Sequence, residues 1–104
     1  MTKKKLSPVV ASHKMWASQE FRTLDLLDKR LKKRAIRIAG DFAADPQASI
    51  PEASGGNWDR IKSTYRFFDN EAVSAEALVA AHRDATIDRM RREPLVIAIQ
   101  DTSF

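Results

Sequence analysis

The sequence predicts a mainly α chain, four helices followed by a single β-strand. Three observations lead there. From Leu24 to Phe42 apolar residues recur at spacings of three and four, the period of an amphipathic helix. Capping residues and the Gly55-Gly56 pair divide the middle of the chain into short helical lengths. After Pro94 the pattern changes to "LVIAIQ", a continuous apolar run with β-branched residues. A strand buried on both faces reads that way.

Each element has its own signals. Residues 1–10 read as a loose basic tail. A short first helix is expected from Ser12 to Phe21. The second helix is the clearest: in "LDLLDKRLKKRAIRIAGDFAAD" the residues Leu24, Leu27, Leu31, Ala35, Ile38 and Phe42 make one apolar face. Asp25 or Asp28 caps its start, and Asp45-Pro46 ends it. Ser49 and Glu52 have the spacing of a capping box, which starts a short helical turn. Asn57 caps a third helix over 58–69, with Asn70 at its end. On that helix Trp58, Ile61, Tyr65 and Phe68 fall on one side; Trp58, Tyr65 and Phe68 are expected to pack into the core, while Phe67 points away from those three. Ser74 caps a fourth helix to about Arg92, with a broad apolar surface from Leu78, Ala81 and Ala85 round to Val79, Ile87 and Met90. A lone apolar strand over 94–104 implies a sheet whose other strands lie elsewhere. The expected organisation is therefore a tail (1–10), a helical domain (11–93) and a first strand (94–104).

Composition narrows the function. A 104-residue chain that is 43% hydrophobic and 31% charged is globular, with one domain or one domain and part of a second. No stretch approaches the about 18 apolar residues of a membrane span. There is no cysteine, which removes disulfides and thiolate metal sites. A bacterial, cytoplasmic location is expected. Net charge is +4 but unevenly placed: residues 1–40 hold 11 Lys or Arg against 3 Asp or Glu, and residues 41–104 hold 7 against 11. A basic half points to a polyanion, either nucleic acid or an anionic membrane surface.

The basic residues cluster on the second helix. Lys29, Lys33 and Arg37 lie opposite its apolar stripe, Arg30 and Arg34 on one flank and Lys32 on the other. Such a helix can dock on a core and present cations to phosphates. The ordinary reading of a charge run is a solvated face. Here no acidic residue interrupts Lys29 to Arg37, so no salt-bridge lacing one turn apart is available within it. Residues 49–69, a helical turn, a glycine turn and a helix, loosely follow a helix-turn-helix, with Arg60, Lys62 and Arg66 as candidate contacts. Asp101 ends the apolar run, a place where a metal ligand or catalytic acid can stand, although a polar strand terminus is commoner. Two-metal chemistry needs several carboxylates around ions about 3.5–4 Å apart. Asp84, Asp88 and Glu93 read as surface charge. His13 and His82 have no partner at metal-ligand spacing.

At this point the residues resemble a known family. "LLDKRLKKRAIRIA", "ASIPEASGGNWDRIKSTYRFFDN", "VSAEALVAAHRDATIDRM" and "LVIAIQDTSF" come in the order seen at the N-terminus of bacterial cut-and-paste transposases of the Tn-five-like group, within the IS-four family. The resemblance covers about residues 16–104, and "YRFFDN" and "IQDT" are its most specific parts. It implies a small four-helix DNA-binding domain that grips the transposon end, then the first strand of an RNase H-like domain with a DDE triad and two divalent metals, usually Mg²⁺. Asp101 matches the first triad aspartate, and it is a metal ligand only in a full-length enzyme. Arg30 and Arg34 match the basic positions of a "GD-x-R…R" motif, and Arg66 matches the arginine of "YRF". Leu27 stands where the motif has glycine. Lys29, Lys33, Arg37 and Lys62 join the DNA-binding set by charge and position.

The expected function is recognition of transposon-end duplex DNA, with no cleavage and no cofactor of its own, and a dimeric synaptic complex formed through other regions. Two alternatives stand beside it. One is a stand-alone regulator that occupies transposon ends, suggested by the chain stopping soon after Asp101. The other is a basic helical module for acidic proteins or membranes.

Overall fold

The computed structural model describes residues 8–101, with side chains from Ser12 onward. It contains α1 (Pro8–Glu20), α2 (Lys29–Ala44), α3 (Ile50–Ala53), α4 (Trp58–Asp69) and α5 (Ala75–Arg91). Residues 8–10 of the expected loose tail are already the first turn of α1, which is expected only from Ser12; residues 1–7 and the last three residues of the expected strand lie outside the described residues.

Side-chain caps set the helix starts. Asp28, Ser49, Asn57 and Ser74 each take extended backbone and accept a hydrogen bond from a backbone N–H of the following first turn, satisfying a donor that has no intrahelical partner. Of the expected box, Ser49 Oγ accepts from the Glu52 N–H at 3.3 Å, and the same hydroxyl donates to the Glu52 carboxylate at 2.9 Å in place of the reciprocal backbone bond. Asp45 closes α2 before Pro46. Gly55 and Gly56 both have positive φ, 64° and 73°, and so turn the chain between α3 and α4 at little steric cost.

The core is small. It consists of Leu24, Leu26, Leu31, Ala35, Ile38, Phe67 and Ala81, with Phe21, Phe42, Val73, Ala77 and Leu78 partly buried around it. α1 lies along α2, where Ala17 is fully buried. A side chain on Gly40 of α2 would meet the backbone of His13 and Lys14 at 3.7 Å, so its absence leaves space between the two helices. α5 contributes a narrow seam, Ala81 and Ala85; Val79, Ile87 and Met90 of its expected broad apolar face are exposed.

Polar contacts tie α5 to the start of the domain. The buried carboxylate of Glu20 receives Arg89 Nη1 at 2.6 Å and Nη2 at 3.2 Å and also pairs with His82. The hydrogen bond from Arg89 holds this carboxyl below the ordinary glutamate range; burial opposes the shift and His82 adds to it. Thr23 donates to Asp84 at 2.8 Å, and Arg22 pairs with Asp88. Asp84 and Asp88, expected to be plain surface charge, are tethers.

Three expectations are corrected. First, α2 begins at Lys29, so the helical period does not run back to Leu24. Residues 24–27 are not helical, and there Leu24 and Leu26 turn inward while Leu27 is fully exposed. Second, α4 is rotated from its expected setting. Ile61, Thr64 and Phe67 form its buried face, whereas Trp58, Tyr65 and Phe68 are 66%, 50% and 57% exposed. Thr64 can be buried because its hydroxyl donates to the Arg60 carbonyl at 2.8 Å. Third, the described part of the predicted strand forms no β-ladder, and no strand occurs among the described residues. Leu95, Ile97 and Ile99 are exposed, since a strand needs a neighbour for its backbone N–H and C=O groups.

The rotation of α4 gives a direct contrast. Phe67→Ala is expected to cost about 3–5 kcal/mol, as for a core phenylalanine, and Phe68→Ala less than about 1 kcal/mol. Urea unfolding of the two variants measures this. Equal losses, or a larger loss for Phe68→Ala, would contradict the burial assigned to α4.

Candidate nucleic-acid interface

A carboxylate of α2 joins that helix to α4. Asp41 accepts from Arg37, one turn earlier, at 3.2 Å. It also takes both of its contacts with Arg60 of α4 through Nη2, at 2.8 and 2.9 Å. Arg37 reaches onward to Ser63 Oγ at 2.8 Å and Thr64 Oγ1 at 3.4 Å. Going back along α2 from Asp41 to Arg37 goes forward along α4 from Arg60 to Ser63 and Thr64, so the helices run antiparallel. Arg37 is half-buried, and burial pulls its guanidinium below the ordinary arginine range while Asp41 opposes that shift. Arg37, one of the expected DNA contacts, is committed to holding the helix pair together.

That pairing places the other cations. Because the helices are antiparallel, the N-terminal half of α2 lies toward the C-terminal end of α4. Lys29, Arg30, Lys33 and Arg34 are on the first, and Arg66, exposed in the last turn of α4, is on the second. The same end of the pair thus carries most of the expected set. Lys62 stands on the outer side of α4 with its ammonium 5.7 Å from the Trp58 ring centroid, within cation–π range.

The cations differ in what occupies them. Arg30 folds back on the capping Asp28, donating through Nε at 3.3 Å and Nη2 at 3.2 Å. This holds the Asp28 carboxyl below its ordinary range. Lys32 donates to the Arg22 carbonyl at 2.6 Å. Lys29, Lys33, Arg34, Lys62 and Arg66 take part in none of the ion pairs among the described residues. Unpaired cations on a rigid scaffold can exchange water and counterions for phosphate. Helices hold such side chains better than loops.

Other expected features fall outside this set. α3 is a single turn of four residues, shorter than the first helix of a helix-turn-helix. Asp101 is exposed at the end of the described chain. Among the described residues no group of three or more His, Asp or Glu is placed to hold a metal ion. Sequence reading missed Asp41. Its signal was present: an arginine four residues before an aspartate on one helix.

A family model described as transposase DNA-binding matches residues 13–73, which run from within α1 through α4 to the residue before the α5 cap. No solved structure matches the chain.

Removing Asp41 tests the helix clamp. Asp41→Ala is expected to lower stability by about 1–2 kcal/mol, the range for hydrogen bonds to a charged group reduced for partial exposure. The readout is the urea midpoint at unchanged slope. An unshifted midpoint would show that the pairing of α2 with α4 does not depend on this carboxylate.

Proposed function

The chain belongs to the transposase DNA-binding family, and on that premise we propose that it recognises the terminal DNA of a mobile element as the N-terminal part of a cut-and-paste DDE transposase. The observation that carries this reading is the group of cations without acidic partners on α2 and α4: Lys29, Lys33 and Arg34 on the first, Lys62 and Arg66 on the second. Arg30 joins them by exchanging Asp28 for a phosphate. Most of these side chains would position the duplex through its backbone, and a minority would read base edges. The exposed Tyr65 and Phe68 stand on the same helix as Arg66 and offer apolar contact to thymine methyl groups.

In the same reading Asp101 is the first carboxylate of a DDE site. By itself it does not fit a two-metal centre, which needs further carboxylates, and the described residues bring none beside it. Mg²⁺ and strand cleavage would belong to a longer enzyme working as a synaptic dimer on DNA in the bacterial cytoplasm. The 104-residue protein binds and does not cut. The likeness of "YRFFDN" and "IQDT" to Tn-five-like transposases supports this finer assignment.

The test starts from the duplex that the protein selects from a random pool. Arg34→Ala and Arg66→Ala are each expected to weaken binding by about 1–3 kcal/mol where the arginine reads a base, or to lower the salt slope by about one where it holds a phosphate. Anisotropy titrations at several salt concentrations separate these outcomes. Parental affinity and slope in both variants would remove them from the interface.

A further inference from the structure

We propose that the groove between α1, α2 and α4 receives a stretch of DNA sugar–phosphate backbone, with Lys14 and Lys33 as its phosphate contacts. The inference rests on the DNA-binding reading above. It extends that reading to α1, where neither charge clustering nor the family resemblance places a contact.

The groove is open and encloses about 830 Å³. Lys14 of α1 and Lys33 of α2 line it, together with Arg37, Arg60 and Asp41. Four cations therefore surround one carboxylate, and a concave surface with such an excess concentrates positive potential. The arginines are already engaged with Asp41. The two lysines are exposed and join no ion pair among the described residues. They come from different helices, so an anion in the groove meets a cation from each.

The apolar part of the lining shapes the choice of ligand. The lining also contains the apolar side chains of Ile36, Ala44 and Ala53. A free inorganic phosphate has nothing to place against them. The DNA backbone alternates phosphates with deoxyribose rings, whose C–H faces suit them. Gly40, without a side chain, helps leave the space open.

Three variants of the 104-residue protein test this on the duplex it selects. Lys14→Ala is expected to lower the log–log salt slope by about 0.9, one phosphate contact, and Lys14→Arg to restore it. Ala44→Trp keeps every charge and fills the groove; it is expected to weaken binding about tenfold, with an unchanged melting temperature because Ala44 is exposed. If either Lys14→Ala or Ala44→Trp binds as the parent does, the groove is not the backbone site. Perturbation of the Gly40 and Lys14 amides by tripolyphosphate but not by duplex also overturns it. If the parent itself binds no duplex, the DNA-binding reading falls and takes the groove with it, so the two failures are told apart by the parent alone.

Discussion

Phe67 enters the core, and its burial sets the rotation of α4. It is 3% exposed, and with Ile61 and Thr64 it defines the one face of the helix that meets the rest of the protein. A helix fixed along one face has its other faces fixed as well. Trp58, Lys62, Tyr65, Arg66 and Phe68 are therefore held at or near the surface by a residue that never reaches it. The Asp41 network secures the same setting from the polar side, through Arg60, Ser63 and Thr64. Apolar burial supplies most of the energy of such an arrangement, and the charged network fixes its register.

The arginines and lysines divide into two groups, and the division makes the functional reading coherent. Arg22, Arg60 and Arg89 tie one element to another through carboxylates, and Arg37 does so through the hydroxyls of Ser63 and Thr64 while pairing with Asp41 on its own helix. Several of those carboxylates are themselves buried or half-buried, so these contacts resist displacement by solvent. Lys14, Lys29, Lys33, Arg34, Lys62 and Arg66 have no such partner among the described residues. A cation held by a protein carboxylate must lose that contact before it can hold a phosphate. Charge count alone puts Arg37 and Lys33 in one class. Their surroundings separate them, one into the helix clamp and the other onto the groove.

Local signals were legible in the sequence and long-range ones were not. The caps at Ser49, Asn57 and Ser74 follow from residue type and position, because a cap depends on neighbours two or three residues away, and at α2 the same signal narrows the cap to Asp25 or Asp28, of which Asp28 is used. The stripe from Leu31 to Phe42 is equally local. Leu26 and Leu27 exchange roles because the helix begins later than its apolar period suggests, and short non-helical runs alternate. The aromatics of α4 mislead for a different reason. Trp58, Tyr65 and Phe68, on one side with Ile61, outweigh Thr64 and Phe67 in any count of hydrophobicity, yet the core takes Phe67 beside small residues such as Ala35 and Ala81. The pairing of Glu20 with Arg89 spans 69 residues, and no local rule reaches that far. The apolar run after Pro94 has the composition of a strand, but strand formation belongs to a pair of segments, and among the described residues it has no partner.

In the function proposed above, the paired helices α2 and α4, with the groove beside them, form the DNA-facing side. Backbone amide perturbation by nuclear magnetic resonance, on adding the selected duplex at moderate salt, tests it most directly. Large changes are expected on residues 29–37, on the last turns of α4 and on the α1 residues lining the groove, while α5 and residues 95–100 stay close to their free positions. Changes concentrated on α5 and the C-terminal segment, with the first half of α2 undisturbed, would contradict it.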